Sequence, residues 1–333
     1  MKIKYIYLFL MAILISIAVA SPLWAVNESV GGAWASLTTG IGARAMGMGG
    51  AFVAVADDAT AAYWNPAGLG MIDKRELAFM VIEPKHNIYP LTNGFPRTHQ
   101  YLSGILPIGI GRFGLSGNYF SIGGIQHTEG TSEFDFERYE YFDDKEWALT
   151  VSGGMSYPNF QNPDRSWFFL GGNIRVMRQS FFHLSTTGVG GDVGFILRSR
   201  KIRLGWVWNV NLSRKWSSDS EEVKVSKSYS DAAVIGWKWG VAFDVKEILT
   251  PAFTLTYRQK DAPLTYSAGA ELRLTRFFFI RVGLEDVCFN ENPFNNSLRA
   301  GFGFKLPYLQ LDYATGLSEN LDTKHRMSMT VRY

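Results

Sequence analysis

The stretch 324–333 reads Lys-His-Arg-Met-Ser-Met-Thr-Val-Arg-Tyr, and its alternation decides how the rest of the chain is read. Met327, Met329, Val331 and Tyr333 fall on one face of an extended strand, while Arg326, Ser328, Thr330 and Arg332 fall on the other. Successive strand side chains point to opposite faces, so this pattern separates an apolar from a polar surface.

The same two-residue period recurs upstream. In 264–274, Leu264, Tyr266, Ala268, Ala270, Leu272 and Leu274 oppose Thr265, Ser267, Gly269, Glu271 and Arg273. In 233–245, Ile235, Trp237, Trp239, Val241 and Phe243 oppose Gly236, Lys238, Gly240, Ala242 and Asp244. Segments 201–212 and 297–306 alternate likewise. Alternation predicts about fourteen strands between 75 and 333, each near the nine to eleven tilted residues that cross a bilayer. A strand that ends on an aromatic, as 324–333 does, resembles the closing strand of bacterial outer-membrane barrels.

Alternation also suits a soluble sandwich with its apolar face turned inward. The connections separate the two readings. With the N-terminus periplasmic, the outer connections are 84–97, 123–145, 179–188, 213–232, 260–263, 287–296 and 317–323, mostly long. The others are 108–111, 157–166, 199–200, 246–250, 275–276 and residue 307, mostly short. Long outer loops and short periplasmic turns are the barrel pattern.

Composition agrees. Aromatic residues are 15% and charged residues 19% of the 333, with 34 glycines. Soluble domains carry about 25% charged residues. Aromatic girdles and a scarcity of lipid-facing charge are expected of a transmembrane barrel. The tryptophans at 147, 167, 206, 208, 216, 237 and 239 read as such a girdle.

Lys2 and Lys4 precede an apolar run from Tyr5 to Ala20, and small residues follow. Residues 1–25 therefore read as a signal peptide. Removing its two lysines takes the formal charge from +3 to +1, which offers no electrostatic basis for binding nucleic acid. The single cysteine, Cys288, permits no intrachain disulfide. The five histidines have no metal-ligand spacing. There is no Gly-x-Ser-x-Gly elbow and no spacing that selects a catalytic triad, so an enzyme is not expected. No cofactor is expected either. Gly40-Ile41-Gly42 with Ala45 imitates a dinucleotide fingerprint, but antiparallel strands follow where a βαβ unit would be required.

Residues 26–74 differ from the rest. From 40 to 69 they read Gly-Ile-Gly-Ala-Arg-Ala-Met-Gly-Met-Gly-Gly-Ala-Phe-Val-Ala-Val-Ala-Asp-Asp-Ala-Thr-Ala-Ala-Tyr-Trp-Asn-Pro-Ala-Gly-Leu. This run resembles the N-terminal signature of the PorV/PorQ branch of the FadL-like outer-membrane proteins. The shared features are Gly-Ala-Arg-Ala-Met-Gly-Met-Gly-Gly, the Asp57-Asp58-Ala59-Thr60 step and Asn65-Pro66-Ala67-Gly68-Leu69. The ending, Leu311-Asp312-Tyr313 through His325-Arg326 to Tyr333, matches as well.

The resemblance implies an all-β, fourteen-stranded barrel over 75–333 whose lumen holds an N-terminal hatch, 26–74. It implies one of two functions. Some relatives carry hydrophobic, fatty-acid-like molecules across the outer membrane; others, of the PorV type, collect proteins leaving the type IX secretion translocon. The motif is common to both. Partners would be outer-membrane lipid with either a hydrophobic small molecule or secreted proteins. Loop 123–145, where Phe134, Phe136, Tyr139, Tyr141 and Phe142 interleave with acids, has two open readings: a surface that docks such a protein partner or gates an apolar ligand, or an ordered surface loop with divalent cations of lipopolysaccharide nearby.

Within the hatch, Gly42, Arg44, Gly47, Gly49, Asn65, Pro66 and Ala67 are the candidate ligand-controlling residues. Glycine lets the backbone approach the wall closely. Asn65, before a proline, should end a short helix over about 57–63. Asp57 and Asp58 should sit at the start of that helix and meet its dipole. Arg44 has two readings: a bidentate partner for a ligand carboxylate, or an ion pair with a lumen acid such as Glu271 or Asp244. The second is favoured because buried charges are normally paired.

Overall fold

The computed structural model describes residues 39–84, 97–128, 139–158, 166–213, 217–218, 234–258, 263–289, 297–317 and 324–333. The predicted signal peptide lies outside these residues, as do most of the predicted outer loops.

Fourteen antiparallel strands close into a barrel. In chain order they are β1 (Glu76–Pro84), β2 (Arg97–Ile108), β3 (Gly111–Thr128), β4 (Tyr139–Tyr157), β5 (Phe168–Phe181), β6 (Leu184–Arg198), β7 (Ile202–Ser213), β9 (Val234–Phe243), β10 (Leu249–Arg258), β11 (Thr265–Arg273), β12 (Phe278–Cys288), β13 (Leu298–Lys305), β14 (Leu309–Leu317) and β15 (Lys324–Arg332). A two-residue strand, β8 (Ser217–Ser218), pairs only with the start of β6. Each wall strand pairs with its neighbours in sequence, and β1 pairs with β15 from Glu76 opposite Arg332 to Pro84 opposite Lys324. That pairing closes the wall, so the stretch 324–333 is indeed the closing strand. A closed barrel has no edge strand and leaves no backbone group unpaired toward lipid.

The strand count matches alternation, but some connections do not. The expected loop 123–145 is largely strand: β3 runs on to Thr128 and β4 begins at Tyr139. Residues 129–138, with Phe134 and Phe136, lie outside the described residues; the flanking 123–128 and 139–145 continue the strand alternation beyond the usual membrane-crossing length and so read as loop. The expected loop 179–188 is a two-residue turn at Phe182-His183, with β5 and β6 paired up to Phe181 opposite Leu184. Phe142 packs edge-on against Phe181 and Phe182, and this holds the extended β4–β5 end together.

The two faces of the wall have opposite chemistry. Leu77, Phe79, Leu102, Leu115, Leu149, Ile174, Val282, Phe302 and Met327 point outward and are exposed. Glu76, His99, Ser116, Asn173, Arg203, Glu271, Arg281 and Arg326 point inward and are buried. An apolar exterior around a polar interior is the inverse of a soluble domain, and lipid is the solvent that favours it. The outer face also carries an aromatic row. Trp206 faces Trp239 and Trp208 faces Trp237 across β7 and β9, and Trp237 stacks on Tyr257.

Residues 39–72 lie inside the wall. They form α1 (Ala43–Gly47), α2 (Ala61–Trp64) and a 3-10 helix (Pro66–Met71). The single helix expected over 57–63 is thus shorter and later, and the other two were not signalled, since Gly- and Ala-rich turns carry little periodicity. The core is built from this segment: Met46, Met48, Phe52, Val55, Trp64 and Leu69 pack against the inward Ala78, Ile105, Ala242, Ala252 and Ala314.

The wall meets the segment along a belt that carries almost no side chains. Gly154 lies opposite Gly171, and Gly171 opposite Gly194. Gly205 lies opposite Gly240. Gly269 lies between Ala252 and Gly283, and Gly301 opposite Ala314. A Cβ on Gly205 would sit 2.5 Å from the Val53 carbonyl oxygen; on Gly240, 2.8 Å from the Ala54 nitrogen; on Gly154, 2.7 Å from the Leu69 Cβ. Backbone therefore packs on backbone around most of the circumference, an approach only glycine permits.

Candidate functional site

The motif residues fix the segment to the wall. Gly42 (φ 83°) donates its N–H to the Met80 sulfur at 2.9 Å. Gly47 packs on Arg281 and Gly301. Gly49 has φ 64°, a left-handed conformation, and a Cβ there would strike the Leu284 backbone. Asn65 is extended (φ −161°) and ends α2, as its position before Pro66 requires. Its side chain is fully buried and donates to the Val53 carbonyl at 2.9 Å and to the Phe195 carbonyl at 3.4 Å. Its oxygen accepts the Ala67 N–H at 3.1 Å, which caps the 3-10 helix. Pro66 and Ala67 press their backbone on Gly171.

Arg44 is the electrostatic hub. It pairs with Asp57 and Asp58 of its own segment and with Glu271 of β11. Glu271 is one of the two expected partners. The other, Asp244, pairs with Arg203, which in turn reaches Asp57 at 3.2 Å. Asp57 and Asp58 therefore serve Arg44 rather than a helix dipole, and α2 starts from Thr60 without a side-chain cap. Asp58 also closes a local turn by accepting the Thr60 N–H at 2.9 Å. Burial pushes the Asp57 carboxyl up, but the Arg44 and Arg203 guanidiniums outweigh it and hold the group below its usual value.

The network continues along the wall. Glu271 accepts Arg281 Nε at 2.6 Å, and Arg281 donates to Asp312 at 2.8 Å. Asp312 accepts from Gln310 at 2.8 Å, and Gln310 accepts from Arg332 at 3.0 Å. Arg332 donates to Glu76 at 2.6 Å, and the other Glu76 oxygen accepts the Ala59 N–H at 2.9 Å. Five wall strands, β11, β12, β14, β15 and β1, and the segment are thereby joined by charge-assisted hydrogen bonds near the end of the barrel where β1 starts and β15 finishes.

Beyond the belt, toward the opposite end, a cavity of about 90 Å³ opens inside the wall. Tyr63 and Trp64 of α2 form its aromatic side, and Asn209, Lys238, Thr256, Arg258 and Asp286 its polar side. A second lobe of about 40 Å³ shares Tyr63, Trp64, Asn209, Asn211 and Lys238 with it and adds Arg175 and Asp192. Asp286 sits where β11 and β12 slip register, with φ 45°, and receives Arg258 at 2.6 Å. Lys238 lies over the rings of Tyr63 and Trp64 at 5.7 and 5.4 Å.

Of the seven motif residues, Gly49 borders this cavity; the others contact wall or segment. Tyr63, Trp64 and Lys238 were not singled out from sequence. Their signal was present: Lys238 is a lone lysine on the polar face of a strand whose other face is Trp237 and Trp239, and an inward charge in a barrel needs a reason.

No family model matches the chain, and no curated protein matches it in sequence. Solved structures do match in fold. The CymD monoaromatic hydrocarbon channel is 16% identical with a TM-score of 0.58, covering 88% of this chain and 98% of its own. The Ralstonia pickettii toluene transporter TbuX is 13% identical with a TM-score of 0.59, covering 88% and 98%. A Pseudomonas aeruginosa FadL homologue is 13% identical with a TM-score of 0.50, covering 87% and 97%. The barrel fold is that of the FadL-like proteins.

Proposed function

We propose that the protein sits in the outer membrane and passes hydrophobic small molecules through its lumen, with residues 26–74 as the controlling hatch. The observation that carries this reading is the cavity laid directly on the aromatic side of α2, inside a wall whose other end is filled by residues 39–72. A site of this kind combines apolar surface with a few oriented polar groups. The fold shared with channels for monoaromatic hydrocarbons and toluene supports it. The test is uptake of labelled toluene and dodecanoate by cells expressing the protein. Uptake should fall when Gly49 is replaced by a bulky residue in a barrel that still folds; unchanged uptake defeats the proposal.

A second reading, an accessory of the PorV type that receives exported proteins, is supported by a different feature. β3 and β4 are 18 and 19 residues long, well beyond their neighbours, and Tyr141 on the extension is 64% exposed. Such a projecting hairpin suits contact with a protein. Cross-linking from Tyr141 in the source membrane, lost on deletion of 129–138, would favour it over transport.

A further inference from the structure

The turns at the end where β1 starts and β15 finishes are short, and most of them carry exposed cations. Arg200 and Lys201 sit between β6 and β7, Lys246 between β9 and β10, Arg276 between β11 and β12 just after Arg273, and Lys305 at the end of β13. Lys74 and Arg75 precede β1. Main-chain hydrogen bonds set these turns side by side. Asp244 donates to the Lys201 carbonyl, Arg273 to that of Ile248, Lys305 to that of Phe277, Arg332 to that of Tyr308 and Tyr333 to that of Arg75, at 2.7 to 3.1 Å. The cations therefore form one continuous arc from β6 round to β1. Among the described residues, the exposed acids on this arc are Asp73 and Glu247, and none of these cations is in an ion pair.

Apolar side chains are interleaved with the charge. Ile248, Leu274, Leu306, Tyr308 and Tyr333 lie along the same arc and are exposed. Arg276 stands 4.5 Å over the ring of Phe277, and Arg75 stands 6.0 Å over that of Tyr333. Thr275 holds the tip that carries Arg276, its hydroxyl accepting the N–H groups of Phe277 at 3.2 Å and Phe278 at 3.0 Å. Apolar bodies beside unpaired cations suit the headgroup layer of a membrane, where the stem enters lipid and the charge stays with phosphate. The β2–β3 turn interrupts the pattern: Ile108, Gly109 and Ile110 carry no charge, and Arg112 turns inward to the Ile72 carbonyl at 2.8 Å. We propose that the arc binds the headgroup phosphates of anionic phospholipids in the adjoining leaflet. Its shape favours lipid over a protein, because it follows the wall through successive turns, as an annulus of lipid does, instead of gathering on one face. Guanidinium pairs with phosphate bidentately, and a cation at an anionic surface strengthens attachment about fivefold. The inference rests on the outer-membrane location and not on what passes through the lumen.

The experiment uses the full-length barrel in detergent, titrated with dioleoylphosphatidylglycerol or dioleoylphosphatidylcholine and read by native mass spectrometry. The phosphatidylglycerol should bind at least about fivefold more tightly. In the triple variant Arg200→Gln, Lys246→Gln, Arg276→Gln that ratio should fall at least about threefold, and Lys145→Gln, at the other end of the barrel, should keep it. Equal binding of the two lipids to the native protein, or a smaller fall in the triple variant, overturns the proposal. Polyglutamate is the third probe: if it binds the native protein and not the triple variant while the two lipids bind equally, the arc faces a protein and the proposal falls. Heat-modifiable migration on gels confirms that each variant is folded. Protease resistance in liposomes tests the location separately. A barrel that inserts into phosphatidylcholine without lipid preference leaves the membrane location standing and this inference fallen; one that inserts into liposomes of neither lipid defeats both.

Discussion

Arg44 and Arg281 share one oxygen: Glu271 Oε2 accepts Nε of Arg44 at 3.0 Å and Nε of Arg281 at 2.6 Å. One guanidinium belongs to the N-terminal segment and the other to the wall, so a single carboxylate holds the two parts together. Arg281 is 1% exposed, and Asp312 is its remaining acidic partner. Replacing Glu271 by Gln keeps the shape and removes the charge. Loss of one partner from a buried ionic cluster costs about 3 to 5 kcal/mol. Urea titration of the barrel in lipid should show Glu271→Gln unfolding at clearly lower denaturant, whereas Lys145→Gln, at an exposed pair with Asp143, should not move it.

The glycine belt makes a graded steric prediction. A Cβ at Gly205 or Gly240 collides with the backbone at 53–54, while one at Gly117 or Gly153 meets nothing within 4 Å. Valine at Gly205 or Gly240 should therefore expel or distort the segment, and alanine at Gly117 or Gly153 should be silent. Protease cleavage within 39–72 of the reconstituted protein is the measurement. Equal protection in all four variants would contradict the packing described.

Asn65 satisfies three backbone groups at once, in a site with no solvent exposure. Asn65→Ala strands the Ala67 N–H and the Val53 carbonyl. Each buried polar group left unpaired costs about 1 to 3 kcal/mol. Hydrogen exchange at 65–71 should speed markedly in this variant, with the outward strand residues unaffected.

Asp57 gives the segment an acid limit. Its carboxyl titrates below its usual 3.8 in the folded protein, because Arg44 and Arg203 favour the ionised form. A group depressed on folding contributes stability that is fully present above its unfolded pKa and is lost as pH falls through the folded one. Exchange protection at 43–58 should hold from pH 7 to about 4 and decline below that. In Asp57→Asn the protection should be lower throughout and lose this acid step.

Much of the wall was legible because lipid and lumen impose a two-residue code on every strand. Strand number, the inward placement of Lys238 and Glu271, and the pairing of Arg44 with Glu271 follow from that code and from the cost of a lone buried charge. The strand ends at 123–128 and 139–145 were misread as loop for a physical reason. Strands that outrun the bilayer keep alternating, and length alone then suggests a loop. The segment 39–72 hid its three short helices because Gly and Ala give no amphipathic period. Of the cavity only the inward Lys238 left a signal; its meeting with Tyr63 and Trp64 was not legible, since Trp64 and Lys238 stand 174 residues apart in the chain and only closure of the barrel brings them together.

The belt of bare backbone also bears on inheritance and assembly. Where wall and segment meet through bare backbone, as at Gly171 and Gly240, there is no rotamer to adjust, so a change on either surface needs a matching change on the other. Gly171 and Pro66, or Gly240 and Ala54, are thus constrained as couples rather than singly. With so tight a fit, residues 39–72 are expected to be in place before the last strands pair, and slower closure of a barrel lacking them would show it.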